Sequence, residues 1–166
     1  MADYKDPENT LLIETSKGPV VIEMRPDLAP NHVAHIKKLA REGAYDGVVF
    51  HRVIDGFMAQ TGDVQHGKGA DTSRAGTGGS SYPDLKAEFN AEPHTRGVVS
   101  MARAQNPNSA NSQFFIVFDD ARFLDRQYTV WGKVISGMEN VDLIKRGEPV
   151  RDPDRMISVK VAADAA

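Results

Sequence analysis

Apolar and polar positions along the chain form short runs, many of them rich in β-branched and aromatic residues. Such runs are typical of β-strands, because successive side chains of a strand point to opposite faces of its sheet. A turn over residues 16–19 and another at Asp55-Gly56 each separate two runs, which predicts two hairpins. The predicted strands are residues 11–15, 20–24, 48–54, 57–60, 98–102, 114–118, 129–135 and 157–161.

Two segments have helical spacing instead. In residues 30–41 apolar side chains recur three and four positions apart, Pro30 suits the first turn, and Gly43 suits the C-terminal end. A shorter helix is predicted for residues 138–145. Many short strands with about two helices favour a mainly β, antiparallel fold, and the pattern leaves both a sandwich and a barrel open.

The length of 166 residues fits one domain, and no internal repeat or change of composition divides the chain. We predict a domain over residues 10–162. A polar N-terminal tail, residues 1–9, precedes it, and an Ala-rich tail, residues 163–166, is expected to fray. The N-terminus has no apolar segment of the kind that a signal peptide requires.

Charge and cysteine content exclude several classes of function. The 20 basic and 23 acidic residues give a net charge of -3, which predicts no nucleic-acid surface and no polybasic membrane anchor. The longest strongly apolar run, residues 114–118, is far shorter than the ~20 residues of a membrane span. The chain has no cysteine, so disulfides, thiolate catalysis and Cys-ligated zinc are excluded, and a reducing cytoplasm is the predicted location.

The usual catalytic and metal-binding motifs are missing from the sequence. His32 and His35 lie three positions apart on the predicted helix, but no acidic residue accompanies them at a ligand spacing, so we interpret them as surface or helix-flank histidines. Within the glycine-rich stretch 62–81, residues 76–81 lack the lysine of a phosphate-binding loop and no apolar helix follows them directly, and no G-x-S-x-G elbow occurs in the chain. No metal and no cofactor are predicted.

Arg52 is a charged residue within an apolar predicted strand. On its own it is typical of an arginine at a sheet edge, whose stem packs along apolar neighbours. The Asp55-Gly56 turn changes this interpretation, because the predicted hairpin brings Phe57, Met58 and Gln60 close to Arg52.

A second strand offers a matching pair of side chains. Gln113 and Phe115 are two positions apart, so they are predicted to share one face of the sheet. Phe114 and Ile116 then face the other way, towards the core.

Five fragments stand out together along the chain: Phe50-His51-Arg52, Gly56-Phe57-Met58-Ala59-Gln60, Gly76-Thr77-Gly78-Gly79, Ser100-Met101-Ala102 and Asn111-Ser112-Gln113-Phe114-Phe115-Ile116. In their order and spacing they resemble the cyclophilin family of peptidyl-prolyl cis/trans isomerases, over roughly residues 10–162. Phe123 and Tyr128 make the pattern most similar to the cytosolic bacterial branch. The resemblance implies a closed eight-stranded antiparallel β-barrel with an α-helix over each open end.

The resemblance also implies roles for individual residues. Arg52 matches the main catalytic group, and Gln60 and Gln113 match polar groups beside the substrate backbone that assist it. The remaining matched positions bind substrate, by forming the apolar pocket for the proline ring or by lining the path of the peptide. They are Phe57, Met58, Gly76, Met101, Ala102, Arg103, Ala104, Phe115, Phe123, Leu124 and Tyr128.

Three positions depart from the best-known family pattern. Arg103 stands where many members have Asn, which is expected to alter the preference for residues beside the proline. Phe123 stands where many eukaryotic members have a Trp that helps to bind cyclosporin, so weak cyclosporin binding is expected. Tyr128 stands where those members have His; its ring can still wall the pocket and its hydroxyl can donate, so activity is expected to survive.

The sequence therefore predicts an isomerase of X-Pro bonds that acts on proline-containing peptides and on unfolded or folding proteins, as a monomer. Two other classes stay open: a module that binds proline peptides with little turnover, and a scaffold in which these residues only pack. The presence of Arg52 argues against a pure binding module, which has no need of it.

Overall fold

A computed structural model describes residues 6–165 of the chain. Residues 1–5 and residue 166 of the predicted tails lie outside the described residues. Nine strands and two α-helices follow one another within this range, with short 3-10 turns at Pro7–Asn9, Arg122–Leu124 and Ala162–Asp164. The elements are β1 Thr10–Thr15, β2 Gly18–Met24, α1 Pro30–Arg41, β3 Val48–Val49, β4 Arg52–Ile54, β5 Met58–Thr61, β6 Val98–Met101, β7 Phe114–Val117, β8 Val130–Ser136, α2 Met138–Val141 and β9 Arg155–Val161.

All nine strands form one antiparallel sheet in the order β3-β9-β1-β2-β8-β6-β7-β5-β4. The two edge strands, β3 and β4, are separated in the chain only by Phe50 and His51, so the sheet curls until its edges are joined by this short segment. The prediction of a mainly β, antiparallel fold with two helices is confirmed, with nine strands in place of eight.

The extra strand arises because the predicted strand 48–54 is broken in two. The Phe50 side chain is buried in the core, and its N–H donates to the carbonyl of Asp154, 2.8 Å away, outside the strand ladder. The residues on either side then pair with different strands, β3 with β9 and β4 with β5.

Helix α1 has the predicted bounds, whereas α2 ends at Val141 and not at residue 145. Beyond Val141 the chain continues in tighter turns, and the Ile144 N–H donates to the carbonyl three residues back. The Arg146 guanidinium also donates to the carbonyls of Asp142 and Ile144, at 2.6 and 2.7 Å. These hydrogen bonds satisfy backbone carbonyls that would accept backbone N–H groups if the helix continued.

The alternation predicted for β7 separates two apolar clusters. Phe114 and Ile116 lie in the main core, where the Phe114 ring meets Trp131 edge-on with centroids 5.4 Å apart. Phe115 lies on the opposite face, in a smaller cluster with Met58 and other residues. The prediction that β7 presents two different faces is confirmed, and the smaller cluster carries the candidate site.

The glycine-rich loop 62–81 contains no helix or strand, and a buried carboxylate organises it. Asp63 accepts hydrogen bonds from backbone N–H groups along this loop. Burial opposes ionisation of Asp63, but these donors hold its pKa below its usual range. The donors are the N–H groups of Gln65, His66, Gly76 and Gly78, at 2.8–3.0 Å.

The described parts of both predicted tails meet at Arg41. Its guanidinium donates to Glu8 and to Asp164, each at a shortest distance of 2.8 Å. The domain limits of residues 10 and 162 stay a prediction. Among residues 6–165, no helix combines the length and the apolar character that crossing a membrane requires.

Four histidines are buried, namely His32, His35, His51 and His94, so the interpretation of His32 and His35 as surface or helix-flank residues is wrong. The inner face of α1 carries both of these residues. His32 contacts the carboxylate of Glu88, which also accepts the backbone N–H groups of residues 31 and 32 and so caps α1. The described residues contain no group of three or more side chains that could hold a metal ion.

Acid is expected to destabilise the fold through these four histidines. Burial lowers the pKa of each, so the folded chain keeps them neutral while the unfolded chain binds protons below about pH 6.5. The free energy of unfolding should therefore fall as the pH drops from 7 to 5. Urea denaturation across this range measures the effect. Ordinary carboxylates titrate below this range, near pH 4, and an unfolding free energy that stays constant would contradict the prediction.

Candidate functional site

A pocket of about 400 Å³, the first pocket, opens above the smaller apolar cluster. Its floor consists of Met58 on β5, Phe115 on β7 and Leu124 in the 3-10 turn. The sequence positions these side chains because Met58 and Phe115 lie on paired strands and both turn away from the main core. The floor is thus apolar and built on rigid elements.

Phe115 is held from two sides. Its ring stacks on the buried His94 ring, with centroids 6.2 Å apart, and meets the Tyr128 ring edge-on at 5.7 Å. His94 is itself fixed, because its Nε2 lies 3.0 Å from the Ser100 hydroxyl and its backbone N–H donates to Asp125 at 2.7 Å. Phe115 remains only 5% exposed, so its ring is well ordered beneath the pocket.

Asp125 connects this support to the 3-10 turn that carries Leu124. Partial burial opposes ionisation, but hydrogen bonds from Arg122 and from His94 lower the pKa of Asp125 to about 2. A carboxylate that stays ionised near neutral pH keeps accepting these donors. The floor residue Leu124 and the support beneath Phe115 are therefore fixed together.

A chain of polar side chains forms one wall of the pocket. Strand pairing places Arg52 opposite Gln60, and Gln60 opposite Phe115. Arg52 Nη1 lies 3.4 Å from Gln60 Oε1, and Gln60 Nε2 donates to Gln113 Oε1 at 2.9 Å. Gln113 Nε2 in turn donates to the carbonyl of Gly78 at 2.9 Å. This series of hydrogen bonds fixes the wall of the pocket from the glycine-rich loop to Arg52.

Arg52 is a cation at the edge of an apolar floor. Its side chain is 40% exposed, and its Nε donates to the carboxylate of Glu148. Within residues 6–165 its Nη2 makes no hydrogen bond, which leaves donor capacity for a bound molecule. The arrangement offers a fixed positive charge next to an apolar surface.

A second pocket of about 490 Å³ adjoins the first and shares Gln60, Gly76, Thr77, Ala102 and Arg103 with it. Gly76 has a φ of +102°, and a Cβ there would lie 3.1 Å from Cδ2 of His51. Glycine is therefore required at this border between the two pockets.

Arg103 is fixed across the boundary by stacking and by backbone contacts. Its guanidinium lies 4.5 Å from the centroid of the Tyr128 ring. Its Nη2 donates to the carbonyl of Gln127 at 2.6 Å and its Nη1 to that of Ala104 at 2.9 Å. The side chain thus covers Tyr128 and does not project freely.

Most residues predicted for the site come together in these two pockets. Ala104 and Gln113 line the second pocket only. Met101 does not line either pocket, because it pairs with Phe114 on β7 and packs in the main core. Phe123 is 68% exposed and lies beside the pocket, with its ring 5.6 Å from that of Phe57. The predicted site residues that line the first pocket are Arg52, Phe57, Met58, Gln60, Gly76, Ala102, Arg103, Phe115, Leu124 and Tyr128.

Five lining residues of the first pocket were not predicted as site residues: His51, Ala75, Thr77, Glu148 and Pro149. His51 directly precedes Arg52, and Ala75 and Thr77 flank Gly76, so adjacency could have found these three. Glu148 lies 96 positions from Arg52, and no pattern in the sequence connects them.

The family model described as "Cyclophilin type peptidyl-prolyl cis-trans isomerase/CLD" matches residues 10–162. A probable peptidyl-prolyl cis-trans isomerase of Brucella suis is 62% identical over 171 residues, which covers 98% of this chain and 87% of the relative. A peptidyl-prolyl cis-trans isomerase of Synechococcus elongatus is 40% identical over 155 residues, covering 93% of this chain and 97% of the relative.

Solved cyclophilin structures have the same fold as this chain. The crystal structure of a cyclophilin from Hirschia baltica superimposes with a TM-score of 0.85 at 34% identity, covering 97% of this chain and 76% of the other. A cyclophilin-type isomerase of Cryptosporidium parvum, crystallised in the presence of the dipeptide Ala-Pro, gives a TM-score of 0.80 at 26% identity. That match covers 92% of this chain and 98% of the other.

Proposed function

The chain belongs to the cyclophilin-type peptidyl-prolyl cis-trans isomerase family and is such an isomerase, and we propose that it rotates X-Pro bonds in the first pocket with Arg52 as the catalytic residue. One observation carries this proposal. The guanidinium of Arg52, with donor capacity left over, lies beside an apolar floor of Met58, Phe115 and Leu124.

Rotation about the peptide bond is slow because amide resonance opposes it with a barrier of ~18–20 kcal/mol. The two isomers of an X-Pro bond differ by only roughly 0.5–1 kcal/mol, yet they exchange in tens to hundreds of seconds. No bond has to break during this exchange. An isomerase therefore accelerates it by binding the twisted amide more tightly than either planar form.

Arginine suits that task. In the twisted state the nitrogen lone pair is no longer delocalised into the carbonyl, so the nitrogen becomes a better hydrogen-bond acceptor. The Arg52 guanidinium is permanently charged and planar, and its donors can stabilise this lone pair. The guanidinium contacts Gln60 and Glu148, and because its stabilisation of the twisted amide is electrostatic, it needs no acid or base.

The apolar floor holds the other half of the reacting bond. A proline ring on Phe115 is anchored by apolar contact, so the carbonyl side of the bond is free to rotate. Excluding water from the floor also strengthens the hydrogen bond from Arg52. Gln60 and Gln113, linked to each other at 2.9 Å, are placed to bind the peptide backbone beside the ring.

We propose proline-containing peptides and unfolded or folding proteins as substrates. The Ala-Pro dipeptide present with the Cryptosporidium parvum relative supports this substrate class. The decisive test compares the cis-to-trans rate of a short X-Pro peptide with and without the protein. Binding of the peptide without any acceleration would favour a proline-peptide binding module instead.

Cyclosporin is expected to bind weakly. The indole that helps to hold this ligand in many eukaryotic members is replaced by Phe123, whose ring has no N–H donor and is 68% exposed. Calorimetric titration measures the affinity, with a Trp-containing eukaryotic member of the family as the control. Tight, saturable binding equal to that of the control would show this expectation to be wrong.

We also propose a monomer in the cytoplasm. Among the described residues the large exposed apolar side chains are few, which suits a chain without an obligate partner. The absence of cysteine from all 166 residues suits a reducing compartment.

A further inference from the structure

Glu148, far from Arg52 in the sequence, lines the same pocket and accepts a hydrogen bond from Arg52 Nε. We propose that Glu148 is a positioning residue, which fixes the Arg52 guanidinium in the orientation needed for isomerisation. This inference rests on the proposed function, in which Arg52 stabilises the twisted amide.

Backbone pairing holds the two residues opposite each other. The N–H and carbonyl of Val53 exchange two hydrogen bonds, each of 2.8 Å, with the carbonyl and N–H of Gly147. On the other side of Arg52, the carbonyl of the preceding residue accepts the N–H of Val150 at 3.1 Å. The segments that carry Arg52 and Glu148 are thus bound together on both sides of the ion pair.

This pairing distinguishes the contact from an ordinary surface ion pair. Exposed ion pairs are weak partly because two long, flexible side chains must be ordered to form them. The Glu148 side chain is 56% exposed, but its backbone position is already set by the closure of the sheet. Gly147 helps to set it, because its φ of +155° favours glycine and a Cβ there would lie 2.8 Å from the Pro149 carbonyl oxygen.

The guanidinium is held at two of its three nitrogens. Glu148 accepts from Nε, and Gln60 Oε1 lies 3.4 Å from Nη1. Two anchors in different directions define the plane of the group and direct the remaining nitrogen, Nη2, to other partners. Without Glu148, only the longer contact with Gln60 would restrain the side chain, so its donors would sample several directions.

The test is steady-state kinetics of Glu148→Ala and Glu148→Gln on a short X-Pro peptide. Glu148→Ala should lower kcat about 10-fold with little change in KM, because the affected interaction forms in the transition state. Glu148→Gln should stay within about threefold of wild type, since its amide oxygen still accepts from Nε. Glu139→Ala, which removes an exposed glutamate of α2, is the matched control and should leave kcat unchanged.

A second measurement separates positioning from a merely structural role. In an Arg52→Ala background, Glu148→Ala should cause no further loss of kcat, because the residue it positions is gone. Equal losses in both backgrounds, or an unchanged kcat in Glu148→Ala alone, would overturn the inference. Failure of the wild-type protein to accelerate isomerisation would instead contradict the proposed function.

Discussion

Arg52→Ala is expected to lower kcat/KM for a short X-Pro peptide by at least ~10²-fold, which is the usual effect of removing one hydrogen-bond donor to the transition state. The variant removes a permanent positive charge from the first pocket. In the described part of the chain, Arg52 is the only cation of this pocket with a guanidinium nitrogen, Nη2, that has no hydrogen-bond partner. The apolar floor remains, so peptide binding should change much less than turnover. A protease-coupled assay of the cis-to-trans rate measures turnover, and peptide titration measures binding.

Two variants control for charge and for folding. Arg52→Lys keeps a positive charge but loses the planar set of donors, so it should recover little of the activity. Arg25→Ala removes an arginine that pairs with Asp27 outside both pockets, and it should leave the rate unchanged. Wild-type turnover in a folded Arg52→Ala protein would refute the arginine-centred mechanism.

Local patterns in the sequence predicted the parts of the fold that depend on alternation and on capping. The bounds of α1 were predicted correctly, because Pro30 and the spacing of apolar residues both mark a helix. The opposite faces of Phe114 and Phe115 were also predicted, since a strand alternates regardless of its partners. The break at Phe50 could not be predicted, because it depends on contacts with the distant β9 region.

The residues of the candidate site also divide into those that the sequence identified and those whose place depends on distant contacts. Arg52, Gln60 and Phe115 belong to neighbouring strands, and the family resemblance marked all three. The contact with Glu148 depends on the closure of the sheet, which joins segments almost a hundred positions apart. Met101 was matched to the site by the resemblance, but its side chain packs opposite Phe114 because alternation on β6 turns it into the core.

Phe115→Ala and Phe114→Ala are both expected to destabilise the fold, but only Phe115→Ala is expected to weaken substrate binding, although the two residues are adjacent. Phe115 forms the floor of the first pocket, so its truncation should raise KM strongly and lower kcat/KM by at least ~10-fold, since aromatic contacts to a bound group are lost. Because the ring is only 5% exposed and stacks on His94, the variant should also lose about 3 kcal/mol of stability, at the low end for Phe→Ala.

Phe114→Ala should instead cost more stability and spare the chemistry. Its ring is fully buried between Tyr45 and Trp131, so truncation leaves a closed cavity. The free energy of unfolding should fall by about 4–5 kcal/mol as a result. The folded fraction should nevertheless keep the wild-type KM, because Phe114 lines neither pocket. Urea denaturation and peptide kinetics on both variants measure the two effects separately. A raised KM in Phe114→Ala with a normal KM in Phe115→Ala would reverse the two faces of β7 and exclude the first pocket as the site of proline binding.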